Sequence, residues 1–269
     1  MSQREGPQRE RGADAVSAFY VPTGDGVFRS TAHTVGPWAA TDQHGGPAAA
    51  LLVRALEQVL PAAQGWLARI SVDLLGAVPV ADLTVSASVV RPGRSVQLAV
   101  ATLAAGGREV ARATGWWHRL GDTTAVSSTA GPPPLPDQPD PVDDRWPGGY
   151  LQAMEWRRVK GDFAEPGPAV IWSRMRIPLV EGEQPSPTQR LVASADSGNG
   201  VGSALSLEDW LYVNTELTVH LLRPPEGELF CLDSAATIGP TGGGYAITTL
   251  SDTAGEVGRG AQALLVRPR

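Results

Sequence analysis

Few side chains in this 269-residue sequence stand where they could do chemistry, and Asp196 is the first of them. It closes the run LVASAD, an otherwise apolar helical stretch, and a carboxylate there is costly to bury without partners. The other reading makes it a helix-end residue that caps or solvates the Ser-Gly-Asn-Gly turn. Gln262 lies in the alternating run GRGAQALLV, facing either the interior or solvent. His44 stands before Gly45 and Gly46 at a helix start, where free N–H groups can receive a carbonyl or phosphate oxygen, unless it only starts the helix. The four histidines, His33, His44, His118 and His220, lack the close paired spacing of a zinc helix or finger, so no metal is expected. The glycine-rich TGGGY at 241–245 has no following Lys-Ser or Lys-Thr and reads as a hairpin turn, not a phosphate loop.

The elements that must position these residues fall into two similar sets. In the first, Pro47 opens a helix through AAALLVRALEQVL that is apolar on nearly all faces and should be buried. Four β-rich runs follow, ARISVDLLGAV, LTVSASVV, VQLAVATLAAGG and EVARATGWWHR, separated by Gly- and Pro-containing turns. In the second, AVIWSRMRIPL reads as a strand and SPTQRLVASAD as a helix capped by Ser or Thr near Pro187. The strands YVNTELTVHLLRPP, ELFCLDSAATI, YAITTLSDT and VGRGAQALLVR complete it. The block at Arg108–Trp117 aligns with Gly255–Leu264 at an offset of 147, and Ile70–Pro79 with Thr215–Pro224 at 145, which predicts a duplication with one small indel. The proline-rich segment 121–147 divides the two as a linker. The expected division is a disordered tail over 1–14, one unit over 15–120, the linker, and a second unit over 148–269.

Composition narrows the function classes. Apolar residues at 42% and charged residues at 19% fit a chain with a sizeable core. A net charge of −6 offers no basic field for nucleic acid. No apolar run approaches the ~20 residues of a membrane span, and the charged N-terminus does not read as a secretory signal. Cys231 is the only cysteine, which rules out an intramolecular disulfide and suits a reducing compartment, so a cytoplasmic setting is expected.

One helix followed by an antiparallel meander is the order of a hot-dog domain, in which a curved sheet wraps a central helix, and a tandem repeat lets two such sheets pair. The expected class is α+β, a tandem hot-dog. Here the sequence resembles the double hot-dog acyl-CoA thioesterases, the type II bacterial enzyme and its peroxisomal relatives, over most of residues 28–269. The resemblance rests on Asp196 in LVASADSGNG, on Leu222-Arg223-Pro224 ending a strand, and on Gln262 in the final strand. It implies that Asp196 orients and deprotonates a water and that Gln262 holds that water. Asn214 falls in the register of the family threonine, with Thr215 beside it, and an amide can hydrogen-bond but cannot relay a proton as a hydroxyl does. A thioester needs no strong nucleophile, so such a set with backbone oxyanion donors would suffice.

The resemblance thus implies hydrolysis of medium or long acyl thioesters, carried by CoA or an acyl carrier, without a cofactor, by a chain whose uncovered surfaces leave room for a homodimer. His44, Gly45 and Gly46 are the candidate substrate contacts. Trp116, Trp117 and Trp172 either line an acyl pocket or pack the core. Mapped back by the offsets, the three catalytic positions become Leu51, Arg69 and Gly115, so one site per chain is expected. Two competitors remain. A hot-dog enoyl hydratase or dehydratase wants a histidine and an aspartate at one site, and no motif puts a histidine beside Asp196. A non-catalytic acyl-binding protein would suit the asparagine at 214.

Overall fold

The computed structural model describes residues 18–141, 148–163 and 165–269; the tail expected over 1–14 and the end of the linker at 142–147 lie outside them. The first half contains β1 (Tyr20–Gly24), β2 (Val27–Ser30), α1 (Gly45–Val59), β3 (Gly65–Leu74), β4 (Asp82–Arg91), β5 (Val96–Ala105) and β6 (Arg108–Arg119). The second contains α2 (Gly149–Ala153), β7 (Met154–Asp162), β8 (Glu165–Met175), α3 (Pro187–Ala195), α4 (Gly198–Val201), β9 (Trp210–Asn214), β10 (Glu216–Leu221), β11 (Phe230–Ile238), β12 (Gly243–Asp252) and β13 (Gly255–Pro268).

The two halves share one antiparallel sheet, in the order β1-β2-β4-β5-β6-β3-β10-β13-β12-β11-β8-β7. The seam is β3 against β10, where Ser71 faces Thr218 and their hydroxyl oxygens are 3.1 Å apart. This is the tandem hot-dog: α1 packs on β3 to β6, α3 packs on β8, β10 and β11, and the helices pack on each other. Ala48 to Val53 of α1 are all fully buried, as an all-round apolar helix requires. α3 starts at Ser186, whose Oγ accepts from the Gln189 N–H, with Pro187 in the first turn.

The helices run antiparallel. At one end Glu57 of α1 accepts from Ser186 Oγ at 2.8 Å and Gln189 Nε2 at 2.7 Å. At the other, Gly46 lies so close to α3 that a Cβ on it would stand 2.4 Å from the Ala193 carbonyl oxygen. Only glycine permits that approach.

The repeat is more regular than the sequence alignment suggests. Val72 opposite Ala113 recurs as Val219 opposite Gly260, Val100 opposite Thr114 as Ile247 opposite Ala261, and Ala87 opposite Ala101 as Ser234 opposite Thr248. The spacing is 147 throughout (219 − 72 = 147), so the offset of 145 at the Ile70 block is a misalignment by two residues and no indel separates the paired strands.

Two further expectations are corrected. The run YVNTELTVHLL is not one strand. Asn214 pairs with Leu264 while Thr218 pairs with Ala261, so one extra residue bulges out between β9 and β10. The strands β1, β2 and β7 were not anticipated. β7 carries Glu155, Arg157, Arg158, Lys160 and Asp162, and β1 carries Pro22. These strands close the two ends of the sheet, where charge and proline guard an edge and erase the apolar alternation that marks an interior strand. The indole N–H of Trp172 donates to the Pro134 carbonyl and Trp117 is a core residue, so neither lines the recess described below.

Candidate active site

The C-terminal end of α3, the N-terminal end of α1, β9 and β13 converge on Asp196. The residue is 3% exposed. Its Oδ1 accepts from Asn214 Nδ2 at 2.9 Å, and its Oδ2 lies 3.1 Å from His44 Nδ1. The carboxylate is therefore an interior group with a partner on each oxygen, as burial of such a group demands, and not a solvated turn residue. A Cβ on Gly45 would stand 2.7 Å from Oδ2, so the positive end of the α1 dipole faces the carboxylate at contact distance.

The bulge between β9 and β10 decides which neighbour reaches Asp196. Leu217, Val219 and Leu221 face the core along β10, whereas Tyr212 and Asn214 face it along β9. One extra residue reverses the parity of an alternating strand. Asn214 consequently points inward, and Thr215 is exposed, its hydroxyl donating to the Ala263 carbonyl at 3.5 Å. The Thr215 side chain therefore lies on the face opposite Asn214 and Asp196.

Gln262 is buried, 2% exposed, but does not touch the carboxylate. Its Nε2 donates to the Asp196 backbone carbonyl at 3.0 Å and its Oε1 accepts from the Asn199 N–H at 2.9 Å. Its two bonds tie the turn between α3 and α4 to β13 beside Asp196.

His44 is the N-cap of α1, its own N–H donating to the Thr34 carbonyl at 2.8 Å. Its ring stacks on Tyr150 with centroids 3.9 Å apart and planes at 13°. Tyr150 is fully buried and donates to the Ala193 carbonyl at 2.7 Å; it also shares a 3.0 Å hydrogen bond with Ser197. Burial holds its hydroxyl far above the usual phenol range, so it stays neutral. No motif puts a histidine beside Asp196, but the tertiary fold does, closing a gap of 152 positions in sequence.

Beside this cluster opens a narrow recess, open to solvent, with about 60 Å3 of interior space. His44, Ser197 and Asn199 form its polar side, and Trp38, Leu151, Phe163, Leu207 and Tyr212 its apolar side. Trp38 meets Tyr212 edge to face at 6.0 Å. The sequence carried no signal for Tyr150, Trp38 or Tyr212, which come from separate elements and follow no motif. Among the described residues, no group of three or more His, Cys, Asp or Glu could hold a metal ion.

Residues 34–118 match the family model of an acyl-CoA thioesterase N-terminal domain, and residues 130–266 that of an acyl-CoA thioesterase C-terminal domain. The chain belongs to the acyl-CoA thioesterase family. Solved structures share the fold of this thioesterase along nearly its whole length. A thioesterase II of Thermobifida fusca YX is 19% identical with a TM-score of 0.72, covering 93% of this chain and 96% of its own. A thioesterase of Novosphingobium aromaticivorans DSM 12444 is 21% identical with a TM-score of 0.69, covering 92% and 98%. The acyl-CoA thioesterase II TesB2 of Mycobacterium marinum is 15% identical with a TM-score of 0.65, covering 91% and 92%. No curated protein matches the thioesterase.

Among the described residues, the first half of the thioesterase holds no second copy of the cluster. The constant spacing of 147 makes Leu67 the counterpart of Asn214 and Gly115 that of Gln262. A Cβ on Gly115 would stand 2.7 Å from Leu67 Cδ2 and 3.0 Å from Leu56 Cδ1. Leu56 follows Pro47 by nine residues, as Asp196 follows Pro187. The counterparts are thus Leu56, Leu67 and Gly115, replacing the expected Leu51 and Arg69, and they form an apolar plug. No helix among the described residues is long and apolar enough to cross a membrane.

Proposed function

We propose that the protein hydrolyses acyl-CoA thioesters to the free acid and CoA through a water activated at the Asp196 centre. The observation that carries this reading is a buried carboxylate, partnered on both oxygens by residues from opposite halves, beside an apolar recess. The acyl group lies against Trp38, Phe163 and Tyr212, which brings the thioester carbonyl to the polar side of the recess. Asn214 and Gln262 hold the carboxylate in place, one through Oδ1 and one through the backbone. Water attacks the carbonyl carbon, the C–S bond breaks, and the thiolate leaves readily without a covalent intermediate. The single cysteine, Cys231, is buried and supports a reducing, cytoplasmic setting.

Thiol release from acyl-CoAs of increasing chain length tests the reading. Saturable release that drops at least about a hundredfold in Asp196→Asn supports it, the range expected when general-base catalysis is disabled. Acyl-CoA binding without release would instead make this a binding protein.

A second reading is favoured by one observation, the 3.1 Å approach of His44 to Asp196. Such a pair could add water across the double bond of a 2-enoyl thioester. Crotonyl-CoA separates the two, because hydration removes the double bond and leaves the thiol bound, whereas hydrolysis frees it.

A further inference from the structure

We infer that His44 is the group that accepts the proton from the attacking water, with Asp196 acting behind it. The inference rests on the hydrolytic reading and assigns its proton. Access is the first argument. The Asp196 side chain is 4% exposed, both its oxygens are engaged, and it does not line the recess, whereas His44 does.

The tautomer is the second argument. Two groups meet His44 Nδ1 at 3.1 Å: the Gly46 N–H, which offers a proton, and Asp196 Oδ2, which can only accept one. A bare Nδ1 would set a lone pair against the carboxylate, so the charged contact places the proton on Nδ1. The neutral ring then carries its free lone pair on Nε2. Stacking on Tyr150 and the backbone bond to Thr34 fix the ring in that orientation. The third argument is local. Histidine is outside the preferred N-cap set of Ser, Thr, Asp, Asn and Gly, so capping α1 does not by itself account for it.

The proton balance closes. As the water oxygen bonds to the carbonyl carbon, its proton passes to Nε2, and the imidazolium charge is offset by Asp196. When the C–S bond breaks, the proton on Nε2 goes to the departing thiolate. Acid and thiol leave, and the neutral ring is restored.

Thiol release and acyl-CoA binding are measured for the full-length wild type, His44→Ala, His44→Asn and Asp196→Asn, with and without added imidazole. His44→Ala should lose at least a hundredfold in kcat with KM within a few-fold, and imidazole should restore part of that loss in His44→Ala but not in Asp196→Asn. His44→Asn supplies a preferred N-cap side chain but no imidazole, and should be as inactive as His44→Ala. Wild-type kcat in His44→Asn, or a loss in His44→Ala that imidazole does not restore, overturns the inference and leaves hydrolysis standing. A wild type that releases no thiol removes the hydrolytic reading itself.

Discussion

Asn214 reaches Asp196, Nδ2 to Oδ1 at 2.9 Å, because a one-residue bulge at Thr215 turns it inward. A hydrogen bond to a buried charge contributes about 1.5–3 kcal/mol, so Asn214→Ala should lower kcat by roughly 10- to 100-fold. Thr215→Ala, on the exposed side of the same bulge, should stay within about twofold. Steady-state thiol release checks both, and equal effects would contradict the assigned parity.

Gly45→Ala tests the contact between α1 and the carboxylate. Alanine favours a helix by up to about 1 kcal/mol over glycine, but here its Cβ would meet Oδ2 at 2.7 Å and Oδ1 at 3.0 Å. The carboxylate must move, so turnover should fall more than tenfold. Crowding of this kind costs about 1–3 kcal/mol, which outweighs the helical gain and should lower the thermal midpoint.

Leu67→Asn places an amide at the first-half counterpart of Asn214. Leu67 is 5% exposed and closes on Gly115, so the change should cost about 2–5 kcal/mol in chemical denaturation without creating a second site. Activity per folded molecule should be unchanged. Turnover that survives in Leu67→Asn combined with Asp196→Asn would show the first half to be competent.

The Leu222-Arg223-Pro224 signature is structural. Arg223 donates to both carboxylate oxygens of the fully buried Asp252, at 2.7 and 2.5 Å, and the N–H groups of Glu226 and Ala254 bond it as well. Burial pushes the Asp252 carboxyl up, but Arg223 and the two N–H groups outweigh it and hold it below the ordinary range. A depressed folded-state value means the stabilisation is present above the unfolded value, about 4, and is lost as pH falls through the folded one. Denaturation curves should show wild type more stable than Asp252→Asn at neutral pH, with the gap narrowing below about pH 4. Arg223→Ala, which strands a buried charge, should cost about 3–5 kcal/mol at neutral pH.

The sequence by itself determined a great deal of this protein. A helix apolar on nearly all faces must be largely buried, so α1 was legible from AAALLVRALEQV; the interior strands were legible because apolar alternation records a half-buried face. The duplication was also legible, and Asp196 and Gln262, both buried, stood out because a polar side chain among apolar neighbours is conspicuous. The edge strands β1 and β7 were not, because exposed edges select charge and proline over pattern. Thr215 was misassigned because a bulge adds one residue without marking it in the alternation, yet it reverses every side chain beyond it. Only the tertiary structure decided that His44 joins Asp196. Their pairing depends on two antiparallel helices meeting end to end, at a distance along the chain where no local periodicity or spacing operates, and on glycines small enough to let them touch.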